Sequence, residues 1–206
     1  MNVPPSVILV VEDVPHILEL LKITLGFKGY TVITACNGYE ALEQIKRQPP
    51  DLVITDILMP KMDGFALAYR LRADAGLSRI PIIFLSATYV TPEDREFALR
   101  LGAVRFIEKP VDTDEFLRAV ATALASGAPA NIQPMEEHEF YQGYRERLEV
   151  KLRQKNAQIA RTQRLLETLP EDQRATFRLI HAEAISQREA VQRELEELYK
   201  ILKANP

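Results

Sequence analysis

Val7-Ile8-Leu9-Val10-Val11-Glu12-Asp13 is the stretch on which the fold turns. Its apolar residues run without alternation and are almost all β-branched, which suits a strand buried on both faces of a parallel sheet. The run stops at an acidic pair, so carboxylates stand at the C-terminal end of a strand. A helical period follows, with Ile17, Leu20, Leu21, Thr24 and Leu25 on one face and Gly29 closing it. Thr31-Val32-Ile33-Thr34-Ala35 then reads as a second strand.

The strand-then-helix unit recurs down the chain. A helix over 38–47 turns Ala41, Leu42 and Ile45 inward, and the strand Leu52-Val53-Ile54-Thr55 ends at Asp56. A helix over 64–73 and a strand over 81–85 follow. Thr91-Pro92-Glu93-Asp94 opens the next helix, with Thr91 as N-cap and Pro92 at the first helical position. A strand over 105–108 and a helix over 112–125 complete the count, with Phe116, Val120 and Leu124 four apart on the buried side. This alternation predicts an α/β, doubly wound, five-stranded parallel sheet with helices on both faces, because each crossover is right-handed and packs its helix back on the sheet. Ligands in such sheets bind at the carboxyl ends of the strands.

Composition sets the remaining bounds. The 206 residues are 47% hydrophobic and 27% charged, as in an ordinary water-soluble chain. Residues 1–127 carry 13 basic against 16 acidic side chains and residues 128–206 carry 13 against 13, so neither part has the basic footprint of a nucleic-acid binder. Cys36 is the single cysteine, which excludes an internal disulfide and predicts a plain packing residue in a reducing compartment. Met1-Asn2-Val3-Pro4-Pro5 has no basic stretch ahead of its apolar run, and no apolar run is long enough to cross a membrane, so a cytoplasmic location is expected.

Glu12, Asp13 and Asp56 end separate strands, and folding should gather them at one edge of the sheet. A cluster of carboxylate oxygens is stabilised by a hard divalent cation, and a shallow site with room for water and phosphate favours Mg²⁺. Ser86 follows the strand over 81–85, and Lys109 follows the strand over 105–108. Carboxylates, hydroxyl and ammonium thus meet at one edge.

Glu12-Asp13, the run Asp56-Ile57-Leu58-Met59-Pro60-Lys61-Met62-Asp63-Gly64, Ser86-Ala87 and Lys109-Pro110, in this order and spacing, resemble the receiver domain of two-component response regulators. The resemblance covers roughly residues 5–126 and implies the strand order 2-1-3-4-5, for which a chemotaxis member of the family is a standard example. It also implies that Asp56 attacks the phosphorus of a phosphohistidine on a sensor histidine kinase. Asp13, Asp56 and the backbone carbonyl of Leu58 would hold Mg²⁺, Glu12 would act through water, and Lys109 would pair with the acyl phosphate. Such chemistry needs positioning and charge neutralisation more than acid–base work. Ser86 would bond a phosphate oxygen and Phe106 would turn inward, changing the face a partner reads. A cis peptide at Lys109-Pro110 is implied as well. Neither Leu58 nor Thr88 is an acid or amide that could steer a water, so a long-lived acyl phosphate is expected.

Residues 127–134 form a small, proline-containing linker by composition. Residues 136–169 lack proline and predict a helix about 50 Å long. Its heptad seam is Tyr141, Leu148, Leu152, Ile159, Leu166 and Leu169, interrupted by Arg145, Lys155 and Thr162. Thr168-Leu169-Pro170-Glu171 reads as a stop and a new start, with Thr168 as N-cap and Glu171 completing a capping box. A second helix over about 171–203 aligns Phe177, Ala184, Val191, Leu195, Leu198 and Leu202. Residues 135–206 are therefore expected to form a helical hairpin or coiled coil that dimerises into a four-helix bundle.

These features predict a response regulator, not an enzyme, that signals to a downstream protein target as a homodimer. An alternative makes the hairpin a histidine phosphotransfer module with His181 as acceptor, while His138 and His16 read as ordinary structural residues. A transcription factor would need a compact basic helix-turn-helix, which two long helices without net charge do not offer.

Overall fold

In a computed structural model of the chain, residues 5–86, 91–129 and 134–204 are described. Ala87, Thr88 and the middle of the linker, 130–133, lie outside them, as do residues 1–4. The chain divides into two compact units, Met1–Met135 and Glu136–Pro206.

The first unit contains strands β1 (Val7–Val11), β2 (Thr31–Ala35), β3 (Leu52–Asp56), β4 (Ile82–Ser86) and β5 (Arg105–Glu108). Between and after them lie helices α1 (Pro15–Phe27), α2 (Gly38–Arg47), α3 (Gly64–Ala73), α4 (Pro92–Arg100) and α5 (Thr113–Ser126). All strand pairs are parallel, and the order is β2-β1-β3-β4-β5. The expected fold is therefore present. Residues 82–86 of β4 and 52–56 of β3 are wholly buried, as unbroken apolar runs require when helices cover both faces. Asp56 and Ser86 are themselves the last residues of these strands rather than the first residues after them.

Alternation along the strands divides the core in two. Ile8, Val10, Ile54, Ile83, Leu85 and Ile107 face Leu21 and Leu25 of α1 and Phe116 and Val120 of α5. On the other face, Phe84 meets Phe65 of α3 at 5.4 Å between ring centroids, and Phe65 meets Phe97 of α4 edge-on at 5.2 Å. Leu20, expected on the inner face of α1, is 63% exposed, in line with Ile23 and Phe27. It lies about 100° round the helix from Leu21, outside the arc that reaches the sheet. Cys36 is exposed, because it stands one residue past the end of the edge strand β2.

Caps set the helix starts at the carboxyl edge. Asn37, Asp63, Thr91 and Asp112 each accept a bond from the backbone N–H three residues on. Thr91 and Asp94 form a reciprocal capping box.

The second unit is a hairpin of α6 (Glu137–Thr168) and α7 (Arg174–Ala204), joined through a single 3₁₀ turn, Glu171–Gln173. The expected cap at Thr168 is absent. Thr168 ends α6, and its hydroxyl donates back to the carbonyls of Arg164 and Leu165. Carbonyls in a last helical turn lack intrahelical donors, so a hydroxyl there is better used as donor than as cap. Glu171 completes no capping box; its carboxylate pairs with Arg174 and Arg178, while Arg174 Nε closes the turn on the Leu169 carbonyl at 2.7 Å. On α7, Ala184, Val191, Leu195 and Leu198 of the expected stripe are buried. On α6 the buried residues are Phe140, Tyr144, Leu148 and Thr162, so Thr162 packs in the seam it was expected to interrupt, and Phe140 is more buried than Tyr141.

Candidate functional site

Four strand ends meet at the carboxyl edge of the sheet. β1 delivers Glu12 and Asp13, β3 delivers Asp56, β4 delivers Ser86, and β5 leads into Lys109. The parallel register accounts for this convergence: Val11 pairs with Thr55, Asp56 with Leu85, and Ser86 with Glu108, so the ends lie level. The amide of Lys109 donates to the Ser86 carbonyl at 2.6 Å, and the Lys109-Pro110 peptide is cis.

Lys109 is the centre of the site. Its Nζ lies 2.6 Å from Glu12 Oε2 and 2.5 Å from Asp56 Oδ1, one ammonium on two carboxylates. Glu12 is 1% exposed and Asp56 5%. Glu12 Oε1 accepts from the Val14 amide at 3.2 Å, and Asp56 Oδ2 accepts from the Leu58 amide at 2.8 Å. Burial, and then the charge of Asp56, push the Glu12 carboxyl above its ordinary range against the pull of Lys109. Burial opposes the charge on Lys109, but Asp56 and Glu12 outweigh it and leave the ammonium raised.

The pocket is thus short of positive charge even with Lys109 in it, and its donors are all oxygen. Such a set fits a hard divalent cation. As they stand, no three carboxylates among the described residues are close enough to hold an ion, and Asp13 is half-exposed. An incoming cation would therefore share or displace Lys109. Ser86 is fully buried, Leu58 is 38% exposed, and Phe106 is half-buried.

Two residues of the Asp56–Gly64 run have structural roles that their place in the motif did not assign. Gly64 N–H donates to the Ile57 carbonyl, and a Cβ on Gly64 would lie 2.2 Å from the Asp56 carbonyl oxygen. Only glycine lets α3 start this close to the acceptor strand, and Asp63-Gly64 after the Asp56 loop was the available signal. Lys61, with φ of 70°, is the non-glycine residue with positive φ among those described. Each histidine is described within its own unit. His16 is exposed on α1, His138 Nε2 lies 3.1 Å from Gln142 Nε2, and His181 is half-buried on α7 with its Nδ1 shielded from solvent.

The profile of the response regulator receiver domain matches residues 8–121. Transcriptional regulatory protein GlrR of Escherichia coli (strain K12) is 37% identical over 138 residues, covering 66% of this chain and 30% of its own. The chain thus spans about a third of the length of that relative. Among solved structures, a putative response regulator from Chloroflexus aurantiacus J-10-fl is 33% identical with a TM-score of 0.56, covering 59% of this chain and 98% of its own. The receiver domain of sensor histidine kinase PA1611 from Pseudomonas aeruginosa PAO1 is 30% identical with a TM-score of 0.54, again covering 59% and 98%; that structure has a magnesium ion coordinated in the active site cleft.

Proposed function

Because this chain belongs to the response regulator receiver domain family, we propose that Asp56 accepts a phosphoryl group from a sensor histidine kinase. On this reading the chain is a cytoplasmic two-component response regulator that signals by protein contact. One observation carries the proposal: Lys109 Nζ bonded at once to Glu12 and Asp56, at the edge where the parallel strands end. A buried carboxylate with a free lone pair and a fixed ammonium beside it is a nucleophile with a partner for the phosphate oxygens already in place.

Asp13, Asp56 and the Leu58 carbonyl would hold Mg²⁺, with Glu12 bound through water, and the ion supplies positive charge for the transferring group. Asp56 supplies the attacking oxygen. Lys109, released from Glu12, stays with the acyl phosphate, and Ser86 gives its hydroxyl to a phosphate oxygen. Phe106 reports the change to the face beside α4. The chain is an acceptor rather than a catalyst with turnover. With Leu58 unable to steer a water, the acyl phosphate should outlast seconds; decay within seconds in purified protein would refute that lifetime.

The hairpin would join two copies. Its buried residues form one narrow seam, and Leu165, Leu179 and Ile180 remain exposed toward the turn. His181 is half-buried three residues before the buried Ala184, on the same side of α7, and its Nδ1 is shielded from solvent, which favours a packing role over a phosphoacceptor.

The deciding experiment offers a small acyl phosphate and Mg²⁺ to the wild-type chain, Asp56→Asn and His181→Ala. Label should enter the wild type and His181→Ala but not Asp56→Asn. Label kept by Asp56→Asn and lost by His181→Ala would replace this reading with the phosphotransfer one.

A further inference from the structure

Arg95, in the second turn of α4, makes two contacts with β5. Its guanidinium carbon lies 5.3 Å from the centroid of the Phe106 ring, and its Nη2 lies 3.2 Å from Glu108 Oε1. Phe106 and Glu108 are two apart on a strand and therefore share one face of the sheet. Ile107 between them is buried on the opposite face, among the residues packed with α1 and α5. Phe106 pairs in register with Phe84, and Glu108 with Ser86. One side chain thus spans the face that carries both the aromatic and the residue just before Lys109. It also ties β5 to the helix that follows the Ser86 end of β4.

We propose that Arg95 is a positioning residue that holds Phe106 in its half-exposed place and fastens α4 to β5, acting as a brake on the response to phosphorylation. The proposal rests on the reading of Asp56 as phosphoacceptor and Phe106 as the aromatic that moves. The ring cannot turn inward while keeping its contact with a guanidinium that is anchored from outside by Glu108. The Arg95 and Glu108 side chains are 53% and 64% exposed, so each contact is weak. Solvent screening leaves an exposed cation–π contact and an exposed ion pair each worth roughly twofold to threefold in an equilibrium constant. Together they bias a two-state equilibrium by about fivefold to tenfold, enough to set a resting level without locking it.

By linkage, whatever disfavours the phosphorylated arrangement also weakens binding of a phosphoryl analogue. The probe is beryllofluoride with Mg²⁺, titrated calorimetrically into the full chain. Arg95→Gln should bind it about fivefold more tightly than the wild type. Glu108→Gln, which keeps the guanidinium over the ring, should gain less, and Arg95→Lys should recover part of the wild-type value. In a Phe106→Leu background the effect of Arg95→Gln should shrink below about twofold, which a merely structural role for Arg95 would not produce. Unchanged or weaker binding by Arg95→Gln overturns the brake, as does an equal gain in the Phe106→Leu background, while the phosphoacceptor reading stands. Failure of the wild type to bind the probe, or equal binding by Asp56→Asn, removes the reading beneath it and the brake with it.

Discussion

Gly64 has no room for a methyl group, since backbone atoms of Asp56 and Ile57 stand where a Cβ would be. Gly64→Ala should therefore displace the end of β3, cost about 1–3 kcal/mol in urea unfolding of the receiver unit, and depress phosphoryl uptake at Asp56. Full uptake by that variant would show that β3 can yield without moving its carboxylate. Lys61 raises the opposite question, because its φ of 70° is a region that side chains enter at a cost of about 1–2 kcal/mol. Lys61→Gly should relieve that strain, offset in part by the greater freedom of glycine in the unfolded chain, for a net gain of about 0.5 kcal/mol. Lys61→Ile should lose about 1 kcal/mol, since a β-branched residue fits that backbone worst. Equal urea midpoints for the two variants would mean that the turn relaxes at no cost. The acidic pair and Asp56 were legible because each ends an apolar run. The strain at Lys61 was not, since a lysine in a polar loop carries no mark of its φ.

Arg72 shows how elements are joined. It lies in α3 and is 3% exposed, and its guanidinium donates to the carbonyls of Ser78, Ile80 and Gly102 at 2.9–3.0 Å. These bonds run to three backbone carbonyls. Burial pulls its pKa down to about 10, which still leaves it charged near neutrality. It binds the end of α3 to the approach to β4 and to the turn between α4 and β5. Arg72→Met would keep much of the stem's packing but strip the donor from three carbonyls, and should cost roughly 3 kcal/mol by urea unfolding. A loss below about 1 kcal/mol would mean that water takes over those carbonyls. The helices themselves were readable from caps and periods, and α4 begins at the Thr91-Pro92 signal as expected. Arg72 was not readable, because an arginine on an amphipathic helix is ordinarily solvated and only the fold closes loops around it. Thr168 misled for a related reason: the same hydroxyl can cap a helix start or satisfy a helix end, and the chain direction of the neighbouring turn decides.

At the scale of the molecule, the two units differ in how they are held together. The receiver has a sheet covered on both faces, whereas the hairpin buries Phe140, Tyr144, Leu148 and Thr162 against Ala184, Val191, Leu195 and Leu198, a thin seam for 71 residues. Two bonds between phenol and carboxylate cross that seam, Tyr144 to Glu194 and Tyr199 to Glu149, and set its register. So small a core is marginal alone. The thermal transition of the hairpin in the full chain should therefore rise with protein concentration while that of the receiver stays fixed, as mass action requires of a dimer. A hairpin transition independent of concentration, with a monomer mass by light scattering, would refute the homodimer. The sequence by itself determined the alternation of strands and helices, the acidic strand ends and the two long helices, because hydrophobic period, caps and breakers are local. Only the tertiary structure decided that Lys109 bridges Glu12 and Asp56, that Arg95 covers Phe106 and that Thr162 belongs inside the seam. Each of these depends on a neighbouring element, and which elements the folded sheet and hairpin bring side by side is not written in any local stretch of sequence.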